Sequence, residues 1–328
     1  PQSLYPSQFS KLMRDIQALC PVVGKSLERI PRILPESMKE KGSEKPVSSD
    51  SVKVAFQGER GAFSELAIRR TFDESVGVLP CHLFSDVFDA VSEGKAKYGM
   101  LPVENTLGGT IYDTLDLLAM HPEITVVGEQ QVRVIHNLIG MPDAELSDIK
   151  KVYSHPQGLA QCARFLSEEL PDAERIPFFD TAGAVSFIAE KKDKSIAAIA
   201  GAPAAVYHGL KIIRQGIESD ASNYTRFYVI AREENADVFR SQAKPNKASI
   251  SFSVSDEPGA LMNALKVLAD RRINMKKLES RPIQGKPWEY LFFLEIQLPE
   301  DGSFEDLCSE MKNACATFRV LGTYASVL

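Results

Sequence analysis

Apolar residues follow two spacings along most of this chain, and one strand-like run lies between Phe227 and Arg232. Its side chains are mostly apolar, branched or aromatic, which is typical of a buried β-strand. The polar residues Asn223, Thr225 and Arg226 stand at its start. Because side chains alternate across a strand, Thr225 shares a face with Phe227, and Arg226 points to the other face. Taken alone, a polar start is also ordinary turn chemistry before a strand.

Short apolar segments alternate with segments of helical periodicity through residues 51–233. The letters run VKVAF then AFSELAIRR, YGMLPV then IYDTLDLLA, KKVYS then GLAQCARFL, and SIAAIAG then APAAVYH. Strands alternating with helices are typical of α/β folds with parallel-type sheets. The length of this region predicts two lobes, with the last strand returning to the first lobe. Ligands of such folds bind at the carboxyl ends of the strands, where the polar loops gather.

A different order of elements is predicted for residues 247–328. Apolar residues alternate with serines from Ile250 to Val254, as in a half-buried strand. The elements predicted after it are a helix over 259–271, strands over 274–281 and 289–298, a helix over 304–315 and a strand over 319–326. This β-α-β-β-α-β order is that of a ferredoxin-like domain.

Residues 1–50 form a third region. Apolar residues at helical spacing between Phe9 and Leu19 predict one amphipathic helix that Pro21 ends. The polar stretch up to Asp50 has too few apolar residues to pack and is predicted to be a linker.

Composition narrows the range of partners. The chain has 328 residues, 38 basic and 44 acidic side chains and a net charge of -6. With no block of basic residues, a nucleic-acid partner is not expected, and no apolar run approaches the roughly 20 residues that span a bilayer. A small molecule is the expected partner. Five cysteines match no zinc or redox spacing, and no secretory or transit signal is predicted, so the expected location is the cytoplasm.

Polar residues gather in loops after several of the predicted strands. The loop QGERGAFS can present backbone N–H groups to an anion, but it lacks the third glycine and the later acid of a dinucleotide site. The other loops are PVENTLGG at 102–109, SHPQ at 154–157 with Gln161 one turn later, and DTA at 180–182. Helix capping could explain each loop alone, yet it explains neither Glu104 and Asn105 nor the glutamines. One shared ligand site is therefore predicted, and no metal or cofactor is expected in it, because no residues have metal-ligand spacing.

Together these motifs resemble the prephenate dehydratase family with a C-terminal ACT regulatory domain. The resemblance covers about residues 52–328 and includes SHPQGLAQC at 154–162, DTAGA at 180–184, NYTRF at 223–227, and GAL and ESRP in the last domain. It implies an active site in the interlobe cleft and an ACT domain that binds phenylalanine and inhibits. Thr106 stands where many members have serine, which keeps the hydroxyl. The N-terminal helix resembles the last helix of a chorismate mutase domain, but one helix cannot build that site, so no mutase activity is predicted.

The resemblance also implies roles for individual residues. The implied catalytic residues are Thr225, Glu104, Asn105 and Gln161. The implied substrate-binding residues are Ser154, Arg226, Thr106, Gly61, Ser64, Thr181, Ala182 and Phe227. The implied phenylalanine-binding residues are Gly259, Ala260, Leu261, Asn274, Glu279, Ser280 and Arg281. Thr225 would be a positioned proton donor or relay, and Arg226 would bind a substrate carboxylate through its forked donors.

The implied reaction is the decarboxylating dehydration of prephenate to phenylpyruvate in L-phenylalanine biosynthesis, by a carbon-oxygen lyase without a cofactor. Phenylalanine would inhibit a homodimer or homotetramer by binding between ACT domains. Arogenate dehydratase, which would make phenylalanine directly, shares these motifs and stays an alternative. A non-catalytic amino-acid sensor is the third possibility, although it would not need the NYTRF and VEN loops together. A dehydrogenase is disfavoured by the incomplete dinucleotide motif.

Overall fold

The computed structural model describes residues 52–72, 75–237, 243–283 and 285–326. The helix and linker predicted for residues 1–50 lie outside this range. All described residues belong to one compact unit, in which the strands form three sheets. No helix among them is long and apolar enough to cross a bilayer.

The elements follow one another in an order close to the predicted one. They are β1 (Lys53–Gln57), α1 (Phe63–Thr71), β2 (Gly77–Cys81), α2 (Phe84–Ser92), β3 (Tyr98–Asn105), β4 (Gly109–Thr110), α3 (Tyr112–Met120), β5 (Ile124–Arg133), β6 (Asn137–Gly140), β7 (Lys151–Ser154), α4 (Pro156–Gln161), α5 (Ala163–Glu169), β8 (Glu174–Pro177), α6 (Thr181–Lys191), β9 (Ile196–Ala200), α7 (Ala202–His208), β10 (Lys211–Gln215), β11 (Tyr224–Arg232), β12 (Lys247–Ser253), α8 (Ala260–Asp270), β13 (Met275–Pro282), β14 (Tyr290–Gln297), α9 (Phe304–Ala314) and β15 (Thr317–Tyr324).

The first sheet forms lobe 1 and has the strand order β2-β1-β3-β11-β5, with β4 paired to β3. Strands β2 and β3 run parallel to β1, whereas β11 runs antiparallel to both β3 and β5. The predicted return of the last strand to the first lobe is confirmed. Because β11 enters from the second lobe, it runs against its neighbours, and the sheet is mixed rather than purely parallel.

The second sheet forms lobe 2 and has the order β10-β6-β9-β7-β8. Strand β7 is parallel to β8 and β9, and β6 is antiparallel to β9 and β10. The single helix predicted over GLAQCARFL is two helices, α4 and α5, which meet at Cys162.

The chain passes between the lobes twice, at residues 134–136 and 216–223. The two crossing segments are joined by backbone hydrogen bonds, from Val134 N to Asn223 O at 2.8 Å and from Ile217 N to His136 O at 2.9 Å. The connection between the lobes is therefore a hydrogen-bonded pair of segments.

The third sheet has the order β13-β14-β12-β15 with antiparallel pairing throughout. With α8 and α9 it forms the predicted β-α-β-β-α-β arrangement, and it has its own core around Ile250, Phe252 and Leu307. The predicted boundaries at residues 233 and 247 fall on either side of the segment that joins β11 to β12.

One face of the lobe 1 sheet packs against the third sheet. Tyr228 and Leu101 of lobe 1 share a buried cluster with Phe293, Leu321 and Tyr324 of the third sheet. Gly322 permits the close approach, because a Cβ there would overlap the carbonyl oxygen of Val126. The opposite face of the lobe 1 sheet packs on α1 and borders the cleft.

Candidate active site

The register between β3 and β11 divides the predicted site residues into two groups. Thr225 lies opposite Asn105, and Arg226 lies opposite Glu104. Because neighbouring side chains on a strand point to opposite faces, Asn105 and Thr225 share one face of the sheet, and Glu104 and Arg226 share the other. The sheet itself therefore separates residues that the sequence motifs place side by side.

On the cleft face, Asn105 is held in one orientation by its backbone surroundings. Its Oδ1 accepts hydrogen bonds from the N–H groups of Leu107 at 3.1 Å and Gly108 at 2.8 Å. Its Nδ2 donates toward three acceptors, which share its two hydrogens: Asn223 Oδ1 at 2.8 Å, Thr225 Oγ1 at 2.9 Å and Tyr224 O at 3.0 Å. A backbone N–H can only donate, so the oxygen of Asn105 must face the loop and the nitrogen must face Thr225.

This arrangement leaves the hydrogen of the Thr225 hydroxyl free to bind a ligand. Thr225 Oγ1 accepts from Asn105 Nδ2, and within the described residues the hydroxyl has no acceptor for its own hydrogen. A hydroxyl can accept and donate at once. Thr225 is therefore a directed hydrogen-bond donor at the carboxyl end of β3, where the cleft begins.

Gln161 brings the second lobe into the same network. Its Oε1 accepts from Asn223 Nδ2 at 3.0 Å and lies 2.8 Å from His136 Nε2. The network thus runs from Asn105 in lobe 1, through Asn223 in a crossing segment, to Gln161 at the end of α4. His136 and Asn223 were not among the predicted site residues, although Asn223 is the first letter of NYTRF.

Loops of the two lobes touch at two glycines. A Cβ at Gly108 would overlap the side-chain amide of Gln157, and a Cβ at Gly61 would lie 2.5 Å from the Cα of Ala204. Gly61 also has a φ of 85°, which disfavours other residues. Its N–H donates to Glu65 Oε2 at 2.8 Å. These contacts make Gly61 a point of lobe contact, and its role in substrate binding stays a prediction.

Two other predicted substrate-binding residues use their hydroxyls to bond backbone groups. Ser154 is fully buried and donates to Ile199 O at 2.7 Å. Thr106 donates to Ser222 O at 2.7 Å and accepts from Tyr224 N at 2.9 Å, which fastens the start of β11. Direct contact of either hydroxyl with substrate stays a prediction.

The remaining predicted positions lie on α1, α6 and β11. Ser64, Ala182 and Phe227 are buried. Thr181 is the first residue of α6, after Asp180, whose side chain caps the helix by accepting from Gly183 N. The side chains of Ser64, Ala182 and Phe227 are therefore packed inside the protein rather than on an open surface.

Carboxylates from the two lobes interact in this region. Burial and the charge of Asp180 raise the pKa of Glu59, and burial also raises the pKa of Asp180. Glu59 follows β1, whereas Asp180 immediately precedes α6, so the interaction spans the lobes. Among the described residues no three His, Cys, Asp or Glu side chains are grouped as metal ligands.

On the opposite face of the lobe 1 sheet, Arg226 is surrounded by carboxylates. It is 7% exposed. Its Nη1 donates to Glu129 and Glu295, each at 3.0 Å, and its Nη2 donates to Glu104 at 2.7 Å and to Glu295 at 2.8 Å. The predicted binding of a substrate carboxylate by Arg226 stays a prediction, and it would require the guanidinium to exchange one of these partners.

The third sheet contributes to this ion network. Glu295 lies on β14, and Lys247 at the start of β12 contacts it at 2.7 Å and Glu129 at 3.0 Å. Tyr228 also donates to Glu295, at 2.5 Å. Burial alone would raise the pKa of Glu295, but Arg226 and Lys247 overcome this effect and lower the pKa to about 2. Glu295 therefore stays ionised inside the protein.

Strand β13 extends the contact to Glu104 and to β4. Lys277 lies 3.3 Å from Glu104 and donates to Thr110 Oγ1 at 2.7 Å, and Thr110 donates to Glu279 at 2.5 Å. Burial opposes ionisation of Glu104, but a hydrogen bond from Arg226 and the charge of Lys277 hold its pKa below the ordinary value. Glu104, predicted to be catalytic, thus lies between the strand that carries Thr225 and the third sheet.

Two of the predicted phenylalanine-binding residues on β13, Glu279 and Arg281, face lobe 1. Arg281 donates to Asp116 on α3 at 2.9 and 2.5 Å and lies 4.6 Å above the ring of Tyr112. Ser280, on the other face of β13, is exposed. Gly259 precedes α8 with a φ of 87°, followed by Ala260 and Leu261. Phenylalanine binding by this set, with Asn274, stays a prediction.

Comparison with known proteins shows a consistent likeness. Residues 54–235 match the family model described as prephenate dehydratase. Arogenate dehydratase 2 of Petunia hybrida is 36% identical over 290 residues, which cover 84% of this chain and 72% of that protein. The bifunctional chorismate mutase/prephenate dehydratase of Escherichia coli (strain K12) is 34% identical over 285 residues, 85% of this chain and 72% of that protein. The structure of prephenate dehydratase from Arthrobacter aurescens in complex with L-Phe has a TM-score of 0.76 at 28% identity and covers 84% of this chain and 90% of that chain.

Proposed function

This chain belongs to the prephenate dehydratase family, and we propose that it converts prephenate to phenylpyruvate as a carbon-oxygen lyase of L-phenylalanine biosynthesis. The observation that carries this proposal is the directed hydroxyl of Thr225. Its oxygen is held by Asn105 Nδ2 at 2.9 Å, and its hydrogen is left for a ligand in the cleft.

The reaction needs such a donor. Loss of CO2 from the ring and of the ring hydroxyl makes the ring aromatic, and one proton is consumed to release the hydroxyl as water. Hydroxide is a poor leaving group, and general-acid assistance contributes about 10² to 10⁴ in rate. A threonine hydroxyl is too weak an acid to act alone, so Thr225 serves as a positioned donor or a relay. The hydrogen bond from Asn105 strengthens it, because hydrogen bonds in a chain polarise one another.

The neutral character of this hydrogen-bond network fits the loss of CO2. Asn105, Asn223, Gln161 and Thr225 carry no formal charge, whereas the cation Arg226 lies on the other face of the sheet among carboxylates. A strong cationic contact would stabilise the departing carboxylate in the ground state and oppose decarboxylation. Neutral donors can orient the substrate without that penalty.

Arogenate is the alternative substrate, and the likeness to the Petunia arogenate dehydratase supports it. The test is to supply the purified protein with prephenate and with arogenate and to measure phenylpyruvate and phenylalanine. A higher kcat/KM for prephenate supports the proposal, and a higher value for arogenate would replace it. A folded protein that forms neither product would be a non-catalytic amino-acid sensor.

We also propose that phenylalanine inhibits the enzyme by binding between the third-sheet domains of a homodimer or homotetramer. The GAL and ESRP motifs support this, as does the L-Phe in the Arthrobacter aurescens complex. Strand β13, which carries ESRP, contacts α3 and β4. An effector can act only through different affinities for two states of the enzyme. These contacts would couple the binding of phenylalanine to the conformation of lobe 1.

A further inference from the structure

His136 lies where the chain first crosses from lobe 1 to lobe 2. Hydrogen bonds to Ile217 and Glu218 of the second crossing segment hold its backbone in place. The side chain is 2% exposed. Its backbone N–H donates to Glu218 Oε2 at 3.0 Å, and its carbonyl accepts from Ile217 N at 2.9 Å. The imidazole packs edge-on against Phe63, with 5.7 Å between ring centroids. The ring is thus held between the two crossing segments and α1.

The hydrogen-bond network determines which nitrogen of this ring carries the proton. Backbone N–H groups fix Asn105 Oδ1 as an acceptor, so Asn105 Nδ2 donates to Asn223 Oδ1. Asn223 must then donate through Nδ2 to Gln161 Oε1. Since an oxygen of Gln161 faces His136 at 2.8 Å, Nε2 of the imidazole must carry the hydrogen.

The same surroundings favour a neutral ring. With the hydrogen on Nε2, the other nitrogen carries only a lone pair, and Nδ1 has no partner among the described residues. A charged imidazole would place a second N–H there without an acceptor. Burial lowers the pKa of His136, and this effect outweighs the hydrogen bond with Gln161 and the charge of Glu218, which both raise it. Glu218 itself lies 3.8 Å from Arg133.

We propose that His136 is a positioning residue for Gln161. The imidazole Nε2–H and Asn223 Nδ2 both donate to Oε1 of Gln161 and so fix the orientation of its amide. In that orientation both hydrogens on Nε2 of Gln161 face a carboxylate of the substrate. Within the described residues Gln161 Nε2 has no acceptor, so these two hydrogens are available. The identity of the carboxylate rests on the proposed function, whereas the tautomer of His136 and its action on Gln161 do not. Without His136, one donor alone opposes rotation of the amide, and an amide oxygen turned toward the substrate would repel the carboxylate.

Enzyme kinetics test this role through variants that keep or remove the donor. His136→Phe keeps a ring but loses the N–H, whereas His136→Gln keeps an N–H near the position of the imidazole Nε2. We expect His136→Phe to raise KM about tenfold with a smaller change in kcat, because Gln161, no longer held by His136, makes weaker hydrogen bonds to the charged ligand. His136→Gln is expected to recover most of the loss. Equal damage in the two variants would overturn the proposal.

A double-mutant cycle with Gln161→Leu tests whether His136 acts through Gln161. If it does, His136→Phe changes KM little once the amide is gone. Effects that multiply independently in the double variant would show that His136 acts by another route, and the proposal would fail.

Nuclear magnetic resonance of ¹⁵N-histidine-labelled protein gives a readout that requires neither substrate nor turnover. The signals of His136 are those lost in His136→Gln. We expect the pattern of a neutral Nε2–H tautomer, unchanged between about pH 5.5 and pH 8, where an unperturbed imidazole titrates. A proton on Nδ1, or titration in that interval, would overturn the proposal. Because this experiment reads the free enzyme, it remains decisive even if neither prephenate nor arogenate proves to be the substrate.

Discussion

At the scale of single residues, the direction of each hydrogen bond decides what Thr225 can do. Its oxygen is occupied by Asn105, so the hydroxyl is left as a donor. We expect Thr225→Ala to lower kcat by more than about tenfold with a smaller effect on KM, because the donor acts chiefly on the leaving group. Thr225→Ser should retain more activity, since it keeps the hydroxyl. Normal turnover by the alanine variant would show that Thr225 is not a proton donor and has only a structural role at the start of β11.

Asn105→Asp tests the direction of the hydrogen bond between Asn105 and Thr225 by changing Asn105, its donor. One aspartate oxygen can still accept from Leu107 and Gly108, but the other would accept the hydrogen of Thr225 instead of donating to its oxygen. We expect kcat to fall by about a hundredfold, within the range for loss of a general acid, with thermal unfolding checked by circular dichroism. Thr106→Ser, which keeps a hydroxyl in the same loop, is the matched control. Activity of Asn105→Asp close to that of the control would contradict this account.

The sequence predicted these residues more fully than it predicted their surroundings. Strand alternation correctly separated Thr225 from Arg226, because it depends only on local geometry. It could not show that Arg226 meets Glu129 and Glu295, since those partners lie about a hundred and about seventy positions away along the chain. His136 was missed for a similar reason. A lone histidine between two strands has no periodic signal, and its importance comes from the crossing of the lobes.

At the scale of elements, β13 connects the third sheet to lobe 1 through Arg281 and Asp116. We expect Arg281→Ala to abolish inhibition by phenylalanine while uninhibited turnover stays nearly intact. Asp116→Asn should weaken inhibition in the same direction, because it removes the charged partner on α3. Inhibition curves at saturating substrate provide the measurement, and Lys276→Ala, an exposed neighbour on β13, is the control. A variant of Arg281 that is inhibited normally would remove this strand from the regulatory path.

The ion network between the sheets predicts a specific loss of stability in acid. Glu295 has a pKa lowered from 4.5 to about 2, so the folded state gains stability from its ionisation above pH 4.5 and loses it as the pH falls toward 2. The shift corresponds to about 3 kcal/mol. Glu295→Gln should therefore lower the free energy of unfolding by about that amount at pH 7, and its difference from the unsubstituted protein should shrink below about pH 4.5.

Urea unfolding between about pH 3 and pH 7 measures this effect. Glu300→Gln removes an exposed carboxylate and serves as the control, for which we expect little change. A Glu295→Gln variant whose deficit is the same at every pH would show that the ionisation of Glu295 does not stabilise the fold.

The order of elements was largely accessible from periodicity, but the direction of the strands was not. Alternation of apolar segments indicated the two lobes, and the β-α-β-β-α-β order of the third sheet followed from the same signals. The pairing of β11 between β3 and β5 depends on contacts across about 90 to 130 residues, which periodicity does not record. The break between α4 and α5 at Cys162 likewise had no proline or glycine to mark it.

At the scale of the whole molecule, the predicted regulation requires an assembly. We expect the enzyme to sediment as a dimer or a tetramer and to lose activity in about millimolar phenylalanine, because the effector is proposed to bind between chains. Sedimentation with and without phenylalanine, alongside activity, checks both parts. Full activity in millimolar phenylalanine would leave the third sheet as an assembly module alone.

The position of β11 in the middle of its sheet determines the order in which the two lobes can fold during synthesis. Strands β3 and β5 leave the ribosome well before β11, which must pair with both of them. Until residue 232 has emerged, each presents an unpaired edge, and such edges invite association with other nascent chains. Lobe 2, whose strands lie between β5 and β11 in the chain, can complete its sheet first. We therefore expect the lobe that is begun first to be finished last, and the nascent chain to depend on chaperones chiefly during that interval.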